Sequence, residues 1–431
     1  MNTKRAPIIL LFLLSFVLAS CGKSGSNNAN LRIVNVIPDA PSVSVQLGTN
    51  PPLVTGLLFQ QLTQYINTPG GSQDFMVSAN GGQSFAINQT LSMGNGNYTY
   101  IVYGPVVSAT GLLVNENNLP TVNSGQFNFR VINVAAGIGP VDVYLTPVGT
   151  DLNTTSPTIS NVGLGGIASF VAVNVGTLEL RATATGTKSV IYDTLPQAFT
   201  NGSSYEAVVF TKGSSRLVSV AMLDENNTGT GQVNDNLLAE FKVINASTAG
   251  TALNVLVNGV IALSNIPYQG VSNYVTTPAG SSTFTVQATA TPGSNLLTLV
   301  STLDSATDTS IVFSGPPGGL IPLVLTDNNL PPPALNARVR FVNVSPGIGP
   351  LDVYVNFGKT ISALPENSGS IYVNETADST IGTAYEFDFN IAGTTTPVLK
   401  LPGIVIIAGH TYTIYVVGPS NAPQGVLSQD D

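Results

Sequence analysis

Arg130-Val131-Ile132-Asn133-Val134, followed two residues later by Gly137-Ile138-Gly139-Pro140-Val141-Asp142-Val143-Tyr144, is the stretch on which the fold turns. It returns 210 residues further on as Arg340-Phe341-Val342-Asn343-Val344 and Gly347-Ile348-Gly349-Pro350-Leu351-Asp352-Val353-Tyr354. Two looser copies open at Arg32-Ile33-Val34-Asn35-Val36 and Lys242-Val243-Ile244-Asn245-Ala246. The four basic residues stand 98, 112 and 98 positions apart, so copies one and three, and copies two and four, are each offset by 210. A period of this kind marks a repeat architecture, here a two-domain pair that was itself duplicated. Each copy is rich in β-branched residues and bounded by Gly, Pro and Asn, the signature of a strand that runs into a turn.

Working outward, each repeat follows one plan. After the opening strand pair comes an aromatic-led strand ending at a glycine: Tyr65 to Gly70, Phe170 to Gly176, Tyr274 to Gly280. A later strand opens with Gly and Tyr, as in Gly96-Asn97-Tyr98, Gly202-Ser203-Ser204-Tyr205 and Gly409-His410-Thr411-Tyr412. Repeat three departs here, with Thr309-Ser310-Ile311-Val312-Phe313. The repeats close on runs such as Leu113-Val114-Asn115-Glu116-Asn117-Asn118, Met222-Leu223-Asp224-Glu225-Asn226-Asn227 and Leu325-Thr326-Asp327-Asn328-Asn329. The fourth stops at Leu427-Ser428-Gln429-Asp430-Asp431. No helical period is sustained past the N-terminal segment. About seven short strands in about 100 residues predict an all-β chain of tandem immunoglobulin-like β-sandwiches. With no Trp and no possible intramolecular disulfide, they are not true immunoglobulin domains. The expected units are 31–122, 123–230, 237–333 and 334–431, with Thr228 to Asn236 a polar, Gly-rich linker between the halves.

The N-terminus carries a different signal. Lys4 and Arg5 precede the apolar run Ile8 to Leu18, and Leu18-Ala19-Ser20-Cys21 ends on the chain's one cysteine. The run is short for a membrane span, which needs ~20 residues. The pattern resembles the lipobox of bacterial lipoproteins. That resemblance implies removal of residues 1–20, lipidation of Cys21 (palmitate-type acyl chains) and anchorage on a membrane of the cell envelope. Gly22 after the cysteine, rather than Asp, favours the outer membrane by the same resemblance. Residues 21–30 then form the lipidated end and a flexible tether without large apolar side chains.

Only 9% of residues are charged, and the chain carries −9. Loss of Lys4 and Arg5 leaves 12 basic against 23 acidic residues, or −11. No basic cluster exists, so the electrostatic footprint of a nucleic-acid binder is missing. Catalytic equipment is sparse. His410 is the one histidine, in a turn that other repeats fill with Asn97 or Ser203, and it reads as a turn residue. There is no Gly-x-Ser-x-Gly, no second thiol and no paired-histidine zinc spacing, so no catalytic or cofactor-binding residue is assigned. Asp224, Glu225 and Asp327, beside Asn-rich junctions, are the weak candidates for calcium, which wants several oxygens from one compact loop. Turn capping is the better reading of the acidic residues, among them Asp142 and Asp352. Arg32, Arg130, Lys242 and Arg340 read as solvent-facing strand residues whose stems cover apolar surface. Tyr144 and Tyr354, alternating with Val, suit a core or sheet face more than a ligand platform, which would need aromatics at loop tips.

The opening motif, the Asp-Val-Tyr strand and the Gly-x-x-Tyr-Thr strand together resemble the DUF4397 family of bacterial exported domains of unknown function. The resemblance spans residues 31–431, implies an extracytoplasmic β-sandwich and brings no catalytic residue with it. The expectation is a non-enzymatic envelope or surface lipoprotein, with its sandwiches end to end as a rod that displays, adheres or supports. The alternatives are a module that binds carbohydrate or envelope polymer and, less favoured, a polysaccharide hydrolase using two carboxylates.

Overall fold

The computed structural model describes residues 28–431 apart from 41, 80–83, 226–230, 249 and 317. Cys21 and the segment before it lie outside the described residues. The described chain is all-β, with two single-turn 3-10 segments, Val106–Ser108 and Leu152–Thr154, as its one departure. Among the described residues no helix is long and apolar enough to cross a membrane.

Eight sheets form four sandwiches, one per repeat. In each, an inner sheet holds the opening strand: Asn28–Val36, Gln126–Asn133, Leu238–Ser247 or Asn336–Asn343. Its parallel neighbour is the late strand Gly96–Tyr103, Ser204–Phe210, Asp308–Gly315 or Thr411–Val417. Repeat three lacks the Gly-Tyr signal yet places its strand identically. The closing strand pairs beyond it: Thr110–Asn115, Ser219–Asp224, Ile321–Asp327 or Gln424–Gln429. An outer sheet, such as Val54–Leu58, Ser42–Leu47, Gly71–Ala79 and Phe85–Met93 in the first sandwich, covers the other face.

Alternation along the opening strand shows how the units assemble. Leu31 and Ile33 point into the core of their own sandwich, with Val43, Val45, Phe75 and Tyr100. Val34 and Val36 point the other way. They meet Ile132, Val134, Val208 and Phe210 of the second sandwich. Ile244 and Ala246 likewise meet Val342, Val344, Tyr415 and Val417 across the second pair. The inner sheets are therefore buried on both faces, which is why their strands read as nearly continuous apolar runs. Sandwiches one and two lie face to face, and so do three and four, so the units do not follow one another as a four-segment rod.

The motif asparagine has its own task. Asn133 is fully buried, donates through Nδ2 to the carbonyls of Gly139 (3.0 Å) and Val162 (2.8 Å), and accepts from the Ala135 amide (3.0 Å). Asn245 repeats this with Thr251, Ile266 and Ser247. A buried amide so satisfied ties the inner strand to the crossover that enters the outer sheet, and each bond contributes roughly 1 kcal/mol net.

Two expectations shift at the edges of the repeats. The first strand begins at Asn28, so the last residues of the expected tether are paired with Ile66–Pro69. In the expected linker, Gly231–Asn234 adds an edge strand to Ser219–Asp224, and Asn236 is buried with hydrogen bonds to Ile191 and Val218. The halves also touch. Ser214 and Ser215 donate to Asp308, and Arg216 pairs with Glu240 at 3.0 Å.

Candidate functional site: charged seams between paired sheets

Arg32, Arg130, Lys242 and Arg340 do not face solvent, contrary to the expectation. Arg32 is 0% exposed and Lys242 and Arg340 are 2% exposed. The cause is the second sheet: each base sits on the face expected to be wet, and that face is covered by the partner sandwich. A buried charge needs a counter-charge, and the partner supplies it from the end of its closing strand. Arg32 pairs with Glu225, and Arg130 pairs reciprocally with Glu116 at 2.7 Å. In the second pair Lys242 meets Asp430, and Arg340 meets Asp327 at 2.5 Å. Each sandwich thus gives one base and receives one, the self-complementary exchange of a two-fold interface within one chain.

An aromatic ring covers each base. Arg32 lies 5.1 Å from the Tyr65 ring centre, Arg130 4.4 Å from Phe170, Lys242 4.8 Å from Tyr274 and Arg340 4.9 Å from Tyr372. Three of these are the aromatics that lead the strands ending at Gly70, Gly176 and Gly280, and Tyr372 completes the set in repeat four. Tyr65 also donates to Glu225 (3.0 Å) and Tyr274 to Asp327 (2.6 Å).

The seams differ in charge count. The second holds two bases and two acids. The first holds Arg32 and Arg130 against Glu116, Glu206 and Glu225, whose oxygens lie within 4.8 Å of one another. Glu206 stands opposite Arg130 in the parallel ladder, where the other inner sheets place Thr99, Ser310 and Thr413. Two of these hydroxyls donate to a seam carboxylate, Ser310 to Asp327 (2.7 Å) and Thr413 to Asp430 (2.5 Å). Among the described residues Glu206 Oε2 and Glu116 Oε1 have no hydrogen-bond donor, although Arg130 touches Glu206 Oε1 and Arg32 lies 3.9 Å from Glu116 Oε1. Burial first, then Glu116 and Glu225, push the Glu206 carboxyl well above its ordinary value, Arg130 opposing. Glu206 also touches Arg130, yet it holds its proton to higher pH than an ordinary glutamate; in its protonated form it balances the surplus charge and supplies the donor that the hydroxyls supply elsewhere.

The sign of the pH effect follows. A buried acid whose folded value is raised binds its proton more tightly in the folded state. Its contribution is complete below the ordinary glutamate value of 4.5 and is lost as pH rises through the higher folded value. Glu206→Gln keeps shape and donor and cannot ionise. In thermal melts from pH 5 to 9 the variant is expected to lose up to ~1.4 kcal/mol per pH unit less stability than the parent over the titrating range. Equal slopes in parent and variant would contradict a raised Glu206 carboxyl.

The remaining sequence candidates distribute as follows. Glu225 and Asp327 fall in different seams, each held by an arginine, while Asp224 lies on a closing strand. Asp142 accepts from the amides of Asn161 (2.8 Å) and Gly186 (3.0 Å). Asp352 accepts from Ala363, Gly393 and Lys359; Lys359 first, then the two amides, draw its carboxyl down to about 2. Both cap turns. Glu240, buried beside Asp308, is pushed up to about 7. His410 Nδ1 lies 3.1 Å from Asp431 and lines a small cavity with Ser214 and Ser215. Both hydroxyls there are committed as donors to Asp308. Tyr144 is buried, its hydroxyl accepting from Lys188.

Sequence reasoning missed Glu206 and the roles of Glu116 and Asp430. One acid recurs at the end of every repeat, Glu116, Glu225, Asp327 and Asp430, as one base recurs at its start. That co-recurrence was the available signal for pairing.

Fold and seams define a class: duplicated pairs of β-sandwiches joined by a buried, reciprocal ionic interface. The chain belongs to the family described as Domain of unknown function (DUF4397), whose model matches residues 29–144 and 239–354. Each match begins in the opening strand of one sandwich and ends at Tyr144 or Tyr354 in the next, so the family unit spans the seam. Among solved structures, the Bacillus anthracis TIE protein is similar at 11% identity, covering 88% of this chain and 68% of that one, with a TM-score of 0.15. No curated protein matches.

Proposed function

We propose that this protein is a non-enzymatic lipoprotein of the bacterial cell envelope, whose paired sandwiches serve a structural, adhesive or display role. The observation that carries the reading is the seam. The recurring charged residues of the motif are enclosed between sheets and spent on one another, where they join domains and leave the outer sheets and their turns to face outward. Lipid on Cys21 would hold such a body at a membrane, each buried methylene contributing ~0.8 kcal/mol.

Fractionation of cells, followed by a hydrolase panel on the purified chain and on His410→Ala, tests this. The chain is expected in the envelope fraction, with no turnover by either form. Recovery in the soluble fraction, or turnover lost in the variant, would refute the reading. Turnover kept in the variant would point to the carboxylate mechanism.

A further inference from the structure

The third and fourth sandwiches share a hairpin between the second strand and the next, and they build its turn differently. In the third, the turn is Asn258-Gly259, with φ of 49° and 86°. Both central residues are left-handed, the two-residue turn for which Asn-Gly is the favoured pair. In the fourth the pair is Asn356-Phe357, with φ of 45° and 70°. A bulky side chain at positive φ is an outlier that persists only when something else favours it. Packing does not, because Phe357 is 73% exposed. An apolar ring is thus held in strained backbone and presented to solvent where glycine would be relaxed.

Its surroundings are polar and incompletely satisfied. Phe357 and Tyr354 line a cavity of about 230 Å³ with Asp388, Asn390, Thr395 and Pro397. Tyr354 stands directly opposite Asp388, and Asn390 is two residues along the same strand. Among the described residues, the buried Asp388 Oδ1 and Asn390 Oδ1 have no hydrogen-bond donor. Asp388 Oδ2 receives Lys400 at 3.4 Å, and Asn390 Nδ2 donates to Thr394 at 3.2 Å. The neighbouring acid Asp352 is held by Lys359. Lys400 also serves Glu386 at 3.3 Å, so two bases stand against three acids here, and two buried acceptors lack donors among the described residues. At the corresponding register the first sandwich has Gln46 and Met76, the second Tyr144 and Arg181, and the third Leu256 and Thr285. The arrangement belongs to the fourth sandwich.

We infer that this hairpin is a saccharide-binding subsite: the apolar face of one sugar ring seats on Phe357, and hydroxyls of the ring donate to Asp388 and Asn390. An aromatic face contributes apolar area at little conformational cost, and hydroxyl donors satisfy acceptors whose isolation is otherwise costly. The cavity is below the ~300–1,000 Å³ of an enclosing ligand pocket, as suits a single ring on an open surface. The surplus carboxylate and the lack of a spare base exclude an acidic sugar and leave a neutral one as the occupant. This goes beyond the structural role proposed above and does not depend on it.

The test is a panel of neutral oligosaccharides with glucose, galactose, mannose or N-acetylglucosamine units, screened against the full chain. Any ligand found is then titrated against Phe357→Gly and Asp388→Asn. At least one member is expected to bind. Both substitutions are expected to weaken it tenfold or more, while Phe357→Gly leaves the melting temperature unchanged or raises it, because glycine relaxes the turn. That opposition separates a binding role from a structural one. The inference is overturned if no sugar binds, if binding survives both substitutions, or if Phe357→Gly lowers the melting temperature together with affinity.

Discussion

Arg340→Ala is expected to lower the stability of the second pair by about 3–5 kcal/mol, the range for removing one partner of a buried ion pair. The size follows from what the substitution leaves behind. Asp327 has a side chain 0% exposed and keeps its hydrogen bonds from Tyr274 and Ser310 but loses its guanidinium. The seam then holds Lys242 against two carboxylates, a net negative charge between largely buried groups. Protonation of Asp327 can relieve this only at a free-energy cost that grows with pH. At ~2–4 °C per kcal/mol for units of this size, the melting temperature should fall on the order of 10 °C. The double variant Arg340→Met/Asp327→Leu should recover most of the loss, since apolar replacement of both partners of a buried pair is often neutral or better. Calorimetry on the three proteins decides. A single variant within 0.5 kcal/mol of the parent would show that the seam does not hold the pair together.

What could be read in advance, and what could not, divides at that seam. Period, turn glycines and alternation are local, so the sandwiches and their duplication were legible from Arg130 to Tyr144 and its copy at 340–354. The burial of Arg130 is not local. Its strand pattern fits a sheet half-wet or fully covered, and the choice depends on whether Val134 and Ile132 meet water or Val34 and Ile101 of another domain. The many apolar residues on both faces of Arg130-Val131-Ile132-Asn133-Val134 were evidence for the second case; the arginine, judged alone, argued for the first. Glu206 was harder. Nothing in its own strand marks it, and its meaning emerges only when the register sets it beside Thr99, Ser310 and Thr413. Phe357 hid for another reason: an Asn-Phe pair carries no turn signal, and the third repeat's Asn258-Gly259 supplies one only once the two hairpins are superposed by their sheets.

Cys21→Ser is expected to have the other large effect, an all-or-none loss of lipid. The warrant is chemical. Thioether formation to a diacylglyceryl group needs a thiol, and serine offers a hydroxyl that is far less nucleophilic at neutral pH. Cys21 is the chain's one cysteine, so no second residue can substitute. A single acyl chain binds a bilayer only marginally and reversibly, whereas two or more anchor stably. The variant should therefore carry no lipid and appear either as an unprocessed precursor that keeps its apolar Ile8 to Leu18 run or as a soluble exported form. Its −9 charge, or −11 after loss of residues 1–20, gives the body no attraction to an anionic surface that could compensate. Metabolic labelling with palmitate reads the first consequence and fractionation the second. Labelling of the variant equal to that of the parent would refute the lipoprotein assignment. A variant without label that has lost residues 1–20 and still sediments with membranes would mean that the sandwiches themselves hold the envelope, and the exposed turn at Phe357 is the first place to look for that contact.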